Sequence, residues 1–233
     1  MRPLDRALLP HGDAGAVHGW LTDRIVEDGL LPPEPALVAG AVPGRRAQFA
    51  SARRCARAAL EDLGRPAVPI LHDGRRRPRW PAGVVGSLTH CAGLAAAVVA
   101  PSDACLGVGV DAEPAVPLPD DVVELVLSSA ERRRLATWRR SRGPAETIVF
   151  SAKESAFKIF SPSTDGWLDP DQVDVAVSAD GAVVADLARP LPDGRTRLSG
   201  RWAVVGRHVV TVLAAPVAGG RLGVRDFPEE PGI

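Results

Sequence analysis

The sequence contains no asparagine, no tyrosine and a single methionine, and only two of its 28 basic residues, Lys153 and Lys158, are lysine. It lacks any run approaching the roughly 20 apolar residues that a membrane-spanning helix needs. The first 25 residues alternate charge, proline and glycine, so no signal-peptide core is read there. Cys55, Cys91 and Cys105 form an odd set without C-x-x-C spacing, which excludes a disulfide framework or a zinc site. Charge of neither sign prevails: 28 basic residues meet 28 acidic ones, so bulk attraction to nucleic acid or to an anionic membrane is not expected. These absences predict a cytosolic protein that binds neither nucleic acid nor membrane.

What is present fits a folded enzyme-sized chain: 233 residues, 45% of them apolar, enough for one large domain or two small ones. Depletion of residues with AT-rich codons explains why arginine replaces lysine nearly everywhere. Two lysines that survive five residues apart, around Glu154, therefore stand out, because a compact ammonium and a planar guanidinium are not interchangeable at a site.

Periodicity predicts a short helix over 13–28 with Asp13 as its cap, then a break at Pro32, Pro33, Pro35 and Pro43. From Gly44 to Leu63 an apolar stripe of Phe49, Ala52, Ala56, Ala59, Leu60 and Leu63 predicts a helix ended by Gly64. Arg46, Arg53 and Arg57 run beside that stripe. Strands are expected near 67–71, 84–88, 94–100 and 105–113. Helix in two pieces follows over 119–142, and another from Ala145 to Phe160, ended by Pro162. Four further strands are expected near 172–177, 182–186, 196–205 and 208–214, before a loose acidic tail over 226–233. The order of helices and strands, twice repeated, predicts an α+β protein of two similar halves, 1–104 and 105–225.

Three segments carry chemistry. In Leu106–Gly–Val–Gly–Val–Asp–Ala–Glu–Pro114, read as a strand, Asp111 and Glu113 share one face about 7 Å apart, with Gly107 and Gly109 before them leaving room for a ligand. Such a pair suits a hard divalent cation, or is simply a solvated strand end. The glycines do not make a dinucleotide loop, since the third is missing and no helix start follows. In Phe150–Ser–Ala–Lys–Glu–Ser–Ala–Phe–Lys158, Glu154 and Lys158 lie one helical turn apart and add a third carboxylate and a phosphate-binding cation. Three carboxylates with lysines are what magnesium-dependent phosphoryl transfer requires; an ordinary helical ion pair is the plainer account. The third segment, Trp80 to Gly93, brings Ser87, Thr89 and His90 to the end of a strand, without the G-x-S-x-G elbow of a hydrolase. Arginines at 45–57 and 75–79 offer further anion contacts.

Taken together, Arg45–Arg46 with Phe49 and Arg53, Pro78-x-Trp80–Pro81, Gly86–Ser–Leu–Thr–His90, Gly109–Val–Asp–Ala–Glu–Pro114 and Lys153–Glu154 with Lys158 resemble the 4′-phosphopantetheinyl transferases. The likeness is to the surfactin- and enterobactin-activating class, in its actinobacterial form, and covers about residues 40–170; the Gly200–Arg–Trp202 strand fits its C-terminal end. The resemblance implies a pseudo-twofold pair of similar α/β halves with coenzyme A and metal bound in the cleft between them. It implies Asp111, Glu113 and Glu154 as ligands of Mg²⁺, or Mn²⁺, and Glu154 as acceptor of a serine proton, directly or through water. Lys153 and Lys158 would contact the phosphates and act in catalysis. Arg45, Arg53, Ser87, Leu88 and His90 would hold the nucleotide end of coenzyme A. Where relatives place a phosphate-binding lysine this chain has His72 followed by Arg75–Arg77, so His72, Arg75 and Arg76 join the expected set. Phe150, Phe157 and Trp167 would wall the pantetheine arm. The implied partners are acyl carrier protein and peptidyl carrier protein domains, docked near Arg132–Arg142, and the implied state is a monomer. Two rivals share the same carboxylates or the same ligand: a magnesium-dependent hydrolase or nucleotidyltransferase, and a noncatalytic module that binds coenzyme A or a carrier protein.

Overall fold

In the computed structural model, residues 1–10, 17–136, 138 and 144–217 are described. The longest element of the N-terminal half is helix α1 (Pro43–Asp62), which opens on a proline whose missing N–H costs nothing in the first turn. It ends at Gly64, which takes a φ of +71°. Cys55, Ala56, Ala59 and Leu60 bury its apolar face against Ala97 and Val99, with Ile70 and Val84 beside them.

Those partners belong to a four-stranded antiparallel sheet of order β1-β2-β4-β3, built from β1 (Arg2–Pro3), β2 (His18–Thr22), β3 (Val84–Cys91) and β4 (Leu94–Pro101). Central strand β4 reads Leu–Ala–Ala–Ala–Val–Val–Ala because both of its faces are covered, which removes the usual alternation. One face meets α1. The other, with Ala96 and Val98, meets Val108, Val110, Val210 and Val212 of a second sheet in a shared core.

That second sheet is five-stranded and antiparallel, of order β5-β9-β8-β7-β6. Its strands are β5 (Cys105–Pro114), β6 (Val173–Val177), β7 (Ala182–Leu187), β8 (Arg197–Val205) and β9 (His208–Pro216). Its far face, through Val175, Ala185, Leu213 and Ala215, packs on Ala152, Ala156, Ile159 and Phe160 of helix α4 (Ala145–Thr164). Short helices α2 (Asp120–Val126) and α3 (Ser129–Ala136) connect β5 to α4. The layers therefore run helix, sheet, sheet, helix. Edge strand β3 of the first sheet and edge strand β5 of the second come together, and a cleft opens there beneath α1 and α4.

Three expectations are corrected. The helix predicted over 13–28 is, in its described part, strand β2 and loop: Gly19 lies so close under Leu4 and Val98 that a Cβ would sit 2.5 Å from Leu4, and Leu21 is buried. Residues 67–71 form no strand; Pro66 and Pro69 leave an extended segment with a single bridge, His72 to Pro78. Helix α4 does not stop at Phe160 but carries Pro162 in its last turn. There the proline forfeits one bond, Thr164 Oγ1 caps the Phe160 carbonyl at 2.9 Å, and Asp165 ends the helix at φ +56°. The expected tail over 226–233, and the basic stretch from 139 to 142, lie outside the described residues.

Candidate active site

The cleft encloses about 1290 Å³ and is lined from four directions: α1, β3, the 72–80 loop, and β5 with the C-terminal end of α4. On the α1 side Arg45 Nη1 donates to His90 Nε2 at 2.7 Å. A guanidinium only donates, so the imidazole nitrogen facing it carries no proton. Burial first, then Arg45 and Lys158, push His90 down to about 4, which agrees with a neutral ring. Two turns along, Arg53 is 5% exposed. Its Nε donates to the Ile70 carbonyl at 2.8 Å, and its guanidinium lies 3.1 Å from the centre of the Phe49 ring. Burial pushes Arg53 down to about 10.

Beneath it lies a residue that the sequence pattern did not single out. Glu34, fully buried, accepts from the backbone N–H groups of Ile70 at 2.6 Å and Leu31 at 2.8 Å, and pairs with Arg57 at 3.1 Å. The nearest signal was Arg57 itself, an arginine beside the apolar stripe of α1.

On β3, Ser87 and Leu88 line the cleft. Ser87 Oγ and Trp80 Nε1 are buried with no partner among the described residues. Such unpartnered atoms are uncommon in a protein interior, and these two lie beside one cleft, Ser87 on β3 and Trp80 at the end of the 72–80 loop. In the 72–80 loop, Arg75 and Arg77 both reach across to Asp165 on the far side, at 2.8 and 2.6 Å, and Asp73 holds Arg77 Nε at 2.6 Å. His72 and Arg76 line the cleft without an ion pair among the described residues.

The carboxylates stand at the β5–α4 side. Asp111 is 4% exposed and receives Lys158 Nζ at 2.6 Å, Thr89 Oγ1 at 3.1 Å and Ser151 Oγ at 2.9 Å. Burial, then Asp111 and Glu154, push Glu113 up to about 7, against an opposing effect of Lys158. Glu154 is raised as well, by burial and then by Asp111. Among the described residues no three His, Cys, Asp or Glu side chains converge tightly enough to enclose a metal ion as they lie. The donor set nevertheless suits one: three carboxylates of which two are pushed toward protonation, by burial first and then by the charge of Asp111, against the opposing cation Lys158.

Lys153 does not join them. Its ammonium is buried and saturated, donating to Glu131 Oε2 at 2.8 Å, the Val126 carbonyl at 2.9 Å and the Pro170 carbonyl at 2.8 Å. A phosphate contact from this placement has no free N–H to use, so the structure gives Lys153 a different task from Lys158. Phe157 and Trp167 line the cleft edge to face, 4.8 Å between ring centres, while Phe150 packs against the core under α4 instead. Gly107 and Gly109 also find a different explanation. A Cβ on Gly109 would lie 2.0 Å from the Ser155 carbonyl, and one on Gly107 2.9 Å from Ile159, so the room they leave is filled by α4.

This geometry is that of a cleft whose charged lining is mostly cationic, with Asp111 held behind its wall by Lys158, and comparison with known proteins gives it a family. A family model described as the 4′-phosphopantetheinyl transferase N-terminal domain matches residues 33–100, and one described as the 4′-phosphopantetheinyl transferase superfamily matches residues 107–212. The chain is 46% identical over 198 residues to the 4′-phosphopantetheinyl transferase Svp of Streptomyces mobaraensis, covering 82% of this chain and 80% of that protein. It is 39% identical over 192 residues to PptT of Mycobacterium tuberculosis, covering 78% and 85%. Enterobactin synthase component D of Escherichia coli is 35% identical over 144 residues, covering 61% of this chain and 68% of that protein. The chain belongs to the 4′-phosphopantetheinyl transferase superfamily.

Proposed function

We propose that this protein transfers the 4′-phosphopantetheine arm of coenzyme A to a serine of acyl or peptidyl carrier proteins, releasing 3′,5′-ADP, with magnesium as its metal. The observation that carries the reading is one cleft that has Arg45, Arg53, His72, Arg76 and His90 in its lining and Lys158 in its wall on α4, with Asp111 held against Lys158 at 2.6 Å behind that wall. A diphosphate with a phosphorylated nucleoside at one end and an uncharged arm at the other suits that cleft. Arg45, Arg53 and the neutral His90 would receive the 3′-phosphate, with Ser87 Oγ as a further donor and Leu88 beside the base. His72 and Arg76 would take the role that a lysine holds in relatives, because Arg75 and Arg77 are already tied to Asp165.

Asp111, Glu113 and Glu154 would hold a divalent cation, which when bound neutralises charge on the transferring phosphoryl oxygens. Lys158 stands beside that charge. Glu154, raised by burial, is suited to take the proton of the attacking serine. The serine oxygen forms a bond to the β-phosphorus as the bond to the bridging oxygen breaks, and that oxygen leaves with 3′,5′-ADP. Phe157 and Trp167 would flank the pantetheine arm. Action as a monomer is part of the same proposal.

The test is intact mass of an apo carrier protein incubated with this protein, coenzyme A and Mg²⁺, against an EDTA control. A gain of one phosphopantetheine, lost with EDTA, is expected. Coenzyme A consumed without any gain by fatty-acid, polyketide or peptide carriers would instead favour a hydrolase.

A further inference from the structure

Helix α4 carries two serines one turn apart, Ser151 and Ser155, both fully buried, where alanine is the better helix former. Neither bonds back to its own helix, the usual refuge of a helical serine. Both reach across the layer instead. Ser151 Oγ lies 2.9 Å from Asp111 Oδ2 and 2.9 Å from Thr211 Oγ1, while Ser155 Oγ lies 2.8 Å from Thr211 Oγ1 and 3.2 Å from the Thr211 carbonyl. Thr211, on β9, is also fully buried. It stands directly opposite Asp111 in the β5–β9 register.

Counting protons gives this cluster a direction. Asp111, paired with Lys158, offers only acceptors, so Ser151 donates to it. With its proton committed, Ser151 receives that of Thr211, and Thr211 receives that of Ser155 over the shorter of the two Ser155 contacts. Three hydroxyls thus donate in series toward one carboxylate, each strengthening the next. From the other sheet Thr89, 6% exposed, donates to the second carboxylate oxygen at 3.1 Å. The arrangement needs α4 pressed onto β5, and Gly109 is what permits it: its missing Cβ is the space that the Ser155 carbonyl occupies.

We propose that Thr89, Ser151 and Thr211 are positioning residues for Asp111, fixing its carboxylate by one hydroxyl on each oxygen before any cation arrives. The inference rests on the reading of Asp111 as a cation ligand. None of the three is among the residues that line the cleft; they act through Asp111, as outer partners of a metal ligand do.

The experiment titrates the full chain, with coenzyme A present, with Mn²⁺ and follows the free-ion electron paramagnetic resonance signal. Thr211→Val keeps the shape of the side chain and removes the relay, and Ser151→Ala removes the last donor; Thr211→Ser restores a hydroxyl. Mn²⁺ affinity about 10- to 100-fold weaker in Thr211→Val and Ser151→Ala, with Thr211→Ser near wild type, is the expected result. Thermal unfolding run alongside shows that the variants are folded, and Thr89→Val, which leaves α4 untouched, serves if either of the others is not. Equal Mn²⁺ affinity in wild type and all folded variants overturns the positioning role while leaving the cation site standing. A wild-type chain that binds no Mn²⁺, as Asp111→Asn should not, removes the cation reading itself and the inference with it.

Discussion

Replacing Lys153 by methionine separates two tasks that adjacency in sequence makes look like one. The methionine fills the same buried space but leaves three acceptors facing an apolar thioether: the Val126 and Pro170 carbonyls and Oε2 of Glu131. Breaking one partner of a buried ion pair costs about 3–5 kcal/mol, because the other charge stays buried. Glu131 keeps its two backbone donors, Ser128 N–H at 2.7 Å and Val175 N–H at 2.8 Å, so part of its charge remains solvated by the protein. That places the cost near the lower end, about 3 kcal/mol. At about 2–4 °C per kcal/mol for a chain of this size, the melting temperature should fall by about 6–12 °C. Lys158→Met offers the contrast. Its ammonium is partly exposed, and Asp111 would retain Thr89 and Ser151, so the loss of stability should be the smaller of the two. Circular-dichroism melts, with initial rates of carrier modification measured well below either midpoint, read both properties. Lys153→Met should melt early yet keep most of its rate per folded molecule, whereas Lys158→Met should lose its rate. An unchanged melting temperature with abolished transfer in Lys153→Met would refute the argument and return Lys153 to the phosphates.

Two further outcomes follow from the site. His90 is depressed to about 4, so between that value and the ordinary 6.5 the unfolded chain binds a proton that the folded chain does not; stability contributed by this group therefore declines as pH falls through that window. Burial, then Arg45, Lys158 and Arg53, enforce the depression, and a phosphate beside the ring would oppose it. Binding of 3′,5′-ADP at pH 6 should then take up more protons in wild type than in His90→Gln, counted by calorimetry in buffers of different ionisation enthalpy; equal uptake would place the phosphate elsewhere. Gly109→Ala should destabilise by about 3 kcal/mol or more, at the top of the range for overpacking, because its Cβ would meet backbone rather than a movable side chain. Gly44→Ala in α1, where nothing lies within 4 Å of a Cβ, should be neutral or slightly stabilising; denaturant titration of the two variants beside wild type checks both.

What the sequence made legible was whatever depends on a single element. Asp111 and Glu113 fall on one face because a strand alternates, and Glu154 precedes Lys158 by one helical turn. Helix α1 was visible in its own stripe and in Gly64. The errors arise where a partner comes from another segment. Arg46, Arg53 and Arg57 look alike along α1, but acidic partners from earlier in the chain divide them: Arg46 goes to Glu27, Arg57 to Glu34 at 3.1 Å, and Arg53, 3.9 Å from the same Glu34, turns its guanidinium over Phe49 at the cleft. Gly107 and Gly109 announced a close approach correctly and concealed what approaches, since α4 lies some 45 residues onward.

Lys153 is the instructive case, because the geometry of a single helix already divides it from Lys158. Five residues at 3.6 per turn set the two lysines about 140° apart, so both cannot face one cleft from the same straight helix. Glu154 and Lys158 share a face; Lys153 is turned toward α2, α3 and the loop before β6. Its scarcity value in an arginine-rich chain still holds, for a different reason. A site reached from three directions by two carbonyls and a carboxylate oxygen suits a compact ammonium with three donors, and a planar guanidinium would not fit that convergence. The two lysines thus use one chemical property in two places, once against Asp111 in the cleft wall and once in fastening α4, which carries Ser151, Glu154 and Lys158, to the rest of its half.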